Sequence, residues 1–226
     1  MNPSSTVDHL VVAADSLEQG VQWCEETLGV TPGPGGQHPL MGTHNRLLRV
    51  ATGRYPRAYF EIIAIDPAAP APDRRRWFDL DDVVLRQKIR QQPRLVHFVA
   101  RTTDAQSALR ALQQAGIDRG ELVAAERPTH RGLLSWRITI RPDGQRLFYG
   151  GLPTLIGWDS THPADAMADS GLALQSLHAS YPRSADLDLA FKAIGLEGVE
   201  IEQGIPNVKA TLATPKGLIT LESGGF

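Results

Sequence analysis

The sequence lacks most of the features that would place it in a specialised class. It has one cysteine in 226 residues, so no internal disulfide can form, which points to a reducing compartment, most simply the cytoplasm. No apolar run approaches the ~18–20 residues that span a bilayer, so we expect no membrane association. The net charge of -2 and the lack of a basic stripe give no indication of nucleic-acid binding.

Nucleotide-binding and redox motifs are also missing. There is no glycine-rich phosphate loop, no Cys-x-x-Cys pair and no serine nucleophile elbow. The glycine cluster at 33–36 is interrupted by Pro34 and precedes no clear helix, so it predicts a turn. Cys24 lies at helical spacing between Val21 and Leu28, which favours a buried core residue over a nucleophile.

What the sequence contains is a weak threefold repeat of one unit, a strand followed by a helix and further strands. The first unit has strands at 7–13, 45–51 and 59–65, with a helix capped by Asp15-Ser16 and closed by Gly29. The second has strands at 94–100, 121–125, 133–140, 146–149 and 154–158, with a helix capped by Asp104. The third has strands at 174–180, 199–203, 208–214 and 218–222, with a helix capped by Ser184 or Asp186. Two segments, 67–93 with a short helix at 82–90 and 160–171, connect the units.

Each unit carries a histidine in the middle of its opening strand. His9 shares its predicted strand face with Val7 and Val11, and Glu61 lies in the last strand of the same unit. A histidine and a glutamate on facing strands of one sheet can point into the same hollow. His9, Glu61 and His97 have the two-imidazole, one-carboxylate composition that suits iron, zinc, manganese or nickel. A core histidine satisfied by a hydrogen bond is the alternative for each imidazole.

The other two units differ in how well they repeat this pattern. The third carries His178 and Glu222 in its first and last strands, a pair that would form a second pocket. In the second unit the position equivalent to Glu61 is Thr154, and threonine is a poor ligand for a divalent metal. A site with four ligands is therefore incomplete on this chain.

Several segments together resemble the vicinal oxygen chelate superfamily, and more closely its glyoxalase-like branch. They are His9-Leu10-Val11-Val12, Leu28-Gly29-Val30, His38-Pro39, Gly42-Thr43-His44-Asn45, Tyr59-Phe60-Glu61-Ile62-Ile63 and Leu152-Pro153-Thr154-Leu155-Ile156-Gly157-Trp158. The resemblance covers roughly residues 7–160, as modules 7–66 and 94–159, and residues 172–223 look like a third, diverged module. It implies an α+β fold of βαβββ modules, like that of glyoxalases and dihydroxybiphenyl dioxygenases, in which curled mixed sheets enclose a cavity.

In metal-binding members of the superfamily the ligands come from the first and last strands of the modules. Carried over by position, the resemblance implies His9, Glu61 and His97 as metal ligands, with Thr154 in the fourth place. A site with three ligands matches the ring-cleaving dioxygenases, whereas the antibiotic-binding proteins of this fold bind their ligands without metal.

The resemblance also singles out His44 and Asn45 at the start of a strand in the first module. His44 becomes the first candidate for proton transfer, alongside Glu61, and Asn45 an orienting hydrogen-bond donor. A turn-and-strand junction, in which Asn45 hydrogen-bonds locally, is the alternative interpretation.

Residues of the second module are expected to line the cavity as well. Trp136, Arg137 and Trp158 are the candidates, and Arg137 would bind a substrate carboxylate unless it faces water at a sheet edge. The loop residue His130 is given no role. His38 and His162 precede prolines and are expected at the surface.

The leading functional hypothesis is a small-molecule enzyme, a lyase or isomerase or a ring-cleaving dioxygenase. A divalent metal would chelate vicinal oxygens of the substrate, which the arginine suggests is carboxylated. The alternative is a protein of the same fold that sequesters a small molecule without metal. The missing fourth ligand supports this alternative. Because an odd number of modules leaves one without a partner, we expect a homodimer.

Overall fold

The computed structural model describes residues 3–129 and 132–225 of the chain. The first unit contains β1 (Ser5–Ala13), α1 (Leu17–Leu28), β2 (Gln37–His38), β3 (Thr43–Arg49) and β4 (Tyr59–Ile65). After α2 (Val83–Gln91), the second contains β5 (Arg94–Thr102), α3 (Ala105–Gln114), β6 (Glu121–Thr129), β7 (Gly132–Ile140) and β8 (Thr154–Trp158). The third contains β9 (Ala173–Tyr181), α4 (Ser184–Ala193), β10 (Leu196–Glu197), β11 (Glu200–Gln203), β12 (Asn207–Thr214) and β13 (Gly217–Glu222). Within the described ranges, no helix is both long and apolar enough to cross a membrane.

The predicted N-terminal caps of the helices in the first two units are confirmed, as is the predicted end of α1. Ser16 precedes α1 and accepts a hydrogen bond from the Gln19 amide at 3.2 Å, while Gly29 ends the helix with a φ of 78°. Asp104 caps α3 in the same way, through the Ser107 amide at 2.9 Å. Local side-chain chemistry is therefore sufficient to start and stop these helices.

Two local predictions are wrong. Helix α4 begins at Ser184, after Arg183, and has no side-chain cap, so the prediction that Ser184 or Asp186 caps it is wrong. Residues 146–149 do not form a strand, because the chain turns there into a short 3-10 helix at Phe148–Gly150.

The first two units, together with β10 of the third, form one mixed sheet of nine strands. Its main path runs β2-β3-β4-β1-β5-β8-β7-β6, and β10 adds to β1 at the side. In each unit the opening strand is parallel to the last strand, β1 to β4 and β5 to β8, and the units meet through the antiparallel pair of β1 and β5. This is the α+β arrangement of βαβββ modules that the sequence predicts.

The sheet is curled, so that its two ends face each other across a hollow. Asn45 on β3 and Arg127 on β6 stand near opposite ends of the strand order, yet both line the same small cavity. The convex side packs on helices α1 and α3 around residues such as Leu10, Cys24 and Leu112. Cys24 is buried and free, as predicted.

An irregularity in β1 decides which side chains reach the hollow. Its pairing with β5 shifts between Val7 and His9, so that Asp8 is an extra residue on its strand. Val7 consequently packs into the core on the helix side, whereas Asp8 and His9 lie on the concave side and contact each other. The prediction that Val7 and His9 share one face is therefore wrong.

The segment at 67–93 inserts two aromatic side chains into the hollow. Trp77 and Phe78 are buried among the side chains of the concave face. Phe78 and Asp79 have φ angles of 59° and 58°, and Asp79 accepts a hydrogen bond from Nε of Arg146 at 2.8 Å. Left-handed backbone at such residues is costly and persists where surrounding contacts fix it, so the insertion is a built part of the cavity wall.

The third unit forms a separate sheet in the order β11-β9-β12-β13. Its apolar face, with residues such as Leu177 and Val208, packs into the same core as the convex side of the large sheet. The apolar face of this unit is thus buried within the chain. The expected homodimer concerns two chains and stays a prediction.

Candidate functional site

The hollow of the large sheet contains two adjoining spaces. An outer cavity of about 670 Å³ leads to an inner chamber of about 30 Å³. Both spaces are lined by Leu47, Arg127, Leu134 and Pro163. The outer cavity has the size of typical metabolite sites, whereas the chamber has room for about one water or one small functional group.

The chamber combines aromatic walls with a cluster of polar side chains. The polar and titratable members are His9, His38, Asn45, Tyr59, Glu61 and Arg127. The aromatic walls include Trp77, Phe78, Trp136 and Trp158. A few polar groups that converge in an apolar pocket are the usual composition of a binding or active site.

His9 is held by a carboxylate on one side and faces the chamber on the other. Its Nδ1 lies 2.7 Å from Oδ1 of Asp8, and its ring stacks on Tyr59 with 4.5 Å between centroids. Its Nε2 lies 3.7 Å from Oε2 of Glu61. Because Asp8 accepts the Nδ1 proton, Nε2 is the ring nitrogen turned toward Glu61 and the chamber.

Asp8 is fully buried and binds three side chains. Besides His9, its carboxylate accepts hydrogen bonds from Nε2 of His162 at 2.9 Å and from Nε1 of Trp158 at 3.0 Å. Burial alone would raise the pKa of this carboxyl, but the hydrogen bonds from His162 and His9 hold the pKa well below its usual value. Asp8 is therefore a buried anion that orients both histidines.

Glu61 is oriented by a second chain of hydrogen bonds. Its Oε1 accepts from Nδ2 of Asn45 at 2.5 Å, and the same amide nitrogen lies 3.3 Å from Nε2 of His38. The Asn45 side-chain oxygen accepts from the Gly36 amide at 2.8 Å, which fixes the orientation of the amide group. Oε2 of Glu61 is left facing His9.

His38 completes this chain as a neutral imidazole. Its Nδ1 lies 3.1 Å from Oγ1 of Thr43, and its Nε2 faces the amide nitrogen of Asn45, so the proton resides on Nδ1. Burial, together with the positive charge of Arg127, lowers the pKa of His38 to about 3. The expectation that His38 and His162 lie at the surface is wrong, since they are only 8% and 4% exposed.

His97 is placed differently from His9, although it holds the same position in its unit. It is fully buried, its Nδ1 lies 3.0 Å from the carbonyl oxygen of Gly150, and its Nε2 accepts the amide proton of Thr154 at 3.0 Å. The ring of Phe78 covers it at 5.3 Å. Burial holds the pKa of His97 well below its usual value, so the imidazole is neutral with both nitrogens occupied.

The expected metal ligands therefore do not come together as a donor set. His9 and Glu61 meet at the chamber, but the nitrogen lone pair of His97 is already used by the Thr154 amide. Among residues 3–129 and 132–225, no group of three or more histidine, cysteine, aspartate or glutamate side chains has the arrangement of a metal site. The residues present do not fit a divalent metal held by His9, Glu61 and His97.

The other expected site residues divide into two groups. Asn45, Trp136 and Trp158 line the chamber. His44 and Arg137 line neither cavity, because strand alternation turns them to the face opposite their neighbours Asn45 and Trp136. Arg137 instead binds Asp159 through two nitrogens, at 2.8 and 3.1 Å, in an exposed pair.

The pair expected in the third unit is separated by a strand. His178 on β9 is opposite Lys209 on β12, which in turn is opposite Glu222 on β13. His178 contacts Glu200 and Glu202 on β11 instead, at 3.4 and 3.2 Å. The second pocket of His178 and Glu222 stays a prediction.

Sequence reasoning missed several residues of the site, above all Asp8, Arg127 and His162. A signal for Asp8 is present, since a charged residue inside an apolar strand is rarely buried without partners. Alternation along β6 and β7 is a signal for Arg127, because it shares the inward face with Leu134. Nothing in the local sequence indicates that His162, in a connecting segment, reaches Asp8. His130 lies outside the described residues.

Comparisons with known proteins agree with this fold. The model of a family described as glyoxalase-like domain matches residues 7–195. A hypothetical protein from Staphylococcus aureus superposes with a TM-score of 0.60 at 14% identity, over 96% of this chain and 85% of that chain. At this identity, the similarity shows the fold alone. No curated protein gives a significant sequence match.

Two further solved structures are more distant. Methylmalonyl-CoA epimerase from Mycobacterium tuberculosis gives a TM-score of 0.39 at 15% identity, over 71% of this chain and 91% of its own. A methylmalonyl-CoA epimerase from Streptomyces coelicolor, in complex with 2-nitronate-propionyl-CoA, gives 0.42 at 18% identity, over 69% and 96%.

Proposed function

The chain belongs to the glyoxalase-like domain family, and we propose that it is a small-molecule enzyme that moves a proton on a carbon next to a carbonyl group. Such a reaction is an isomerase or lyase step. The observation that carries the proposal is the convergence of His9 and Glu61, 3.7 Å apart, on the inner chamber. Ring-cleaving dioxygenase chemistry is less well supported, because the donor set around His9 does not fit the metal it needs.

The proton-transfer roles follow from how the two groups are held. His9 has the arrangement of a general base that a third group orients, since Asp8 fixes its Nδ1 proton and leaves Nε2 free to accept. When Nε2 takes a proton from the substrate carbon, the imidazolium lies between the carboxylates of Asp8 and Glu61, which stabilise its charge. The imidazolium can pass this proton to Oε2 of Glu61, which Asn45 leaves free because it occupies only Oε1. Glu61 then delivers the proton to another atom of the substrate, and both side chains return to their starting protonation states.

The chamber walls support this chemistry by limiting water. His9 and Glu61 are 4% and 5% exposed, and aromatic rings including Trp77 and Trp136 surround them. Charge interactions are stronger in such surroundings than in bulk water. A carbonyl compound that enters from the outer cavity would therefore react on carbon under conditions where solvent does not compete.

The proposal is tested by hydrogen exchange on carbon. Purified protein is incubated in deuterated water with pyruvate, 2-oxobutanoate and 4-methyl-2-oxopentanoate, and loss of the proton signal at the carbon beside the ketone is followed by NMR. We expect faster exchange than buffer with at least one of these acids. His9→Gln and Glu61→Gln should each slow it by about 100-fold or more, the usual contribution of a general base.

His44→Gln is the matched control, because His44 neighbours Asn45 on β3 but lies outside the cavity. It should exchange at the rate of the unsubstituted protein. Absence of exchange with every acid, combined with ligand-induced thermal stabilisation, would contradict the proposal and favour the sequestering protein.

A further inference from the structure

Arg127 stands where the outer cavity meets the inner chamber. It lies on β6 opposite Leu134 of β7, on the inward face of this pair of strands, and it lines both spaces. Arg137, on the outward face of β7, is exposed and paired with Asp159. The two arginines of neighbouring strands thus have opposite surroundings, one facing solvent and one facing the site.

The guanidinium group of Arg127 carries donors that the described residues do not use. Its Nε and Nη1 atoms are buried, yet neither has a hydrogen-bond partner there. Leaving a buried charged donor unpaired is costly, so such groups normally bind a counter-charge. The neighbouring His38 cannot supply one, because an imidazole is either neutral or positively charged, and burial together with Arg127 lowers the pKa of His38 so that it is neutral.

The loop before β2 leaves room for this guanidinium. A side chain at Gly36 would collide with Nη1 of Arg127, so the glycine allows the group to lie against the loop backbone. The same residue donates its amide to Asn45, which in turn binds Glu61. Gly36 therefore links the position of Arg127 to that of the proton-transfer pair.

We propose that Arg127 binds the carboxylate of the substrate at the mouth of the inner chamber. The inference rests on the proposed function, and it narrows the substrate class to small oxo acids or related carboxylates. A carboxylate that pairs with the planar guanidinium directs the adjacent carbonyl and its neighbouring carbon toward His9 and Glu61. The rest of the molecule extends into the outer cavity, past apolar groups such as Leu133 and Met167.

The test compares one acid with its uncharged ester. Binding of 4-methyl-2-oxopentanoate and of its methyl ester is measured by titration calorimetry on the full chain. We expect the acid to bind about 10- to 100-fold more tightly than the ester, which is the usual effect of a hydrogen bond to a charged group. In Arg127→Gln this preference should disappear, while the weak affinity for the ester stays the same.

Three further variants separate recognition from folding. Arg137→Gln, the matched arginine on the outward face, should keep the full preference for the acid. Arg127→Lys, which retains charge but not the planar group, should keep part of it, and Gly36→Ala should weaken acid binding by displacing the guanidinium. Equal binding of acid and ester by the unsubstituted protein, no binding of the acid, or full preference in a folded Arg127→Gln would overturn the proposal.

The two proposals can fail separately. Glu61→Gln should bind the acid at least as tightly as the unsubstituted protein even when exchange on carbon is lost. A preference for the acid without any exchange would leave the carboxylate site standing and remove the enzyme. Exchange on carbon that is unaffected by Arg127→Gln would leave the enzyme standing and remove the carboxylate site.

Discussion

His9 and His97 occupy equivalent positions in two similar modules, but their surroundings make them different chemical groups. His9 faces the chamber through Nε2, with Asp8 behind it and Glu61 in front. His97 is sealed, with both ring nitrogens used by backbone groups of Gly150 and Thr154. The comparison teaches that a histidine repeated along a sequence either faces a cavity or is sealed in the core, according to what occupies its second nitrogen.

Two insertions into the regular pattern create this difference. The extra residue in β1 brings Asp8 to the side of His9. The segment that carries Trp77 and Phe78 fills the hollow in front of His97. The histidine of the first module thus has a buried carboxylate beside it, whereas the histidine of the second has an aromatic cover.

The largest expected effect on stability is that of removing Asp8. In Asp8→Ala, the donors of His9, His162 and Trp158 lose their common acceptor in a fully buried place. We expect a loss of about 3–5 kcal/mol in the free energy of unfolding, measured by chemical denaturation. Asp159→Ala, which removes the exposed partner of Arg137, should cost about 1 kcal/mol or less. A small loss at Asp8 would show that the buried network is not formed.

Replacing His97 tests whether this histidine supports the fold without taking part in the reaction. His97→Ala leaves the Thr154 amide and the Gly150 carbonyl without partners and opens a small void, so we expect a loss of about 2–4 kcal/mol in unfolding free energy. Exchange on carbon, measured at a temperature where the variant is folded, should match the unsubstituted protein. If folded His97→Ala lost exchange as His9→Gln does, the division between reactive and structural histidine would be wrong.

The pH dependence of stability provides a third test. His38 and His97 are neutral in the folded protein because burial lowers their pKa values, to about 3 for His38, whereas both protonate near pH 6.5 when unfolded. The unfolded chain therefore binds more protons below this pH, so stability falls as pH falls from about 6.5 toward 4.5. Each of the two histidines should lower the free energy of unfolding by about 1.4 kcal/mol for each pH unit in this range.

This slope is measured from urea midpoints in that pH window. His38→Gln should reduce this slope by the contribution of one histidine, about 1.4 kcal/mol per pH unit. An unchanged slope in this variant would mean that His38 takes up a proton in the folded state.

The smallest effects are expected on the faces turned away from the cavity. His44→Gln and Arg137→Gln should change the free energy of unfolding little, because Arg137 forms an exposed ion pair and His44 contacts Asp66 at a distance of 3.9 Å. Thermal denaturation and exchange on carbon check both variants. A marked loss of exchange in either would mean that the outward face takes part in the reaction.

The sequence predicts the fold well because it is encoded locally. Caps such as Ser16 and Asp104, and alternating apolar strands, define the βαβββ order, and the positions of His9 and Glu61 in their strands bring them together. Long-range contacts predict less well. Nothing near Phe78 indicates that it covers His97, and nothing near His162 indicates that it reaches Asp8.

Errors within strands have a simpler cause. A single extra residue reverses the alternation of β1, so strict alternation predicts the wrong face for Val7. Strict alternation along β7, in contrast, correctly predicts that Arg137 faces outward. Because Arg127 of β6 is opposite Leu134 of β7, the same alternation predicts that Arg127 faces inward.

The most direct measurement of the difference between His9 and His97 is long-range proton–nitrogen NMR of the histidine side chains. Resonances are assigned with His9→Gln and His97→Gln, and spectra are recorded with and without 4-methyl-2-oxopentanoate. We expect the acid to shift Nε2 of His9 and to leave His97 unchanged, neutral and protonated on Nδ1. A shift at His97 with none at His9 would contradict the placement of the site.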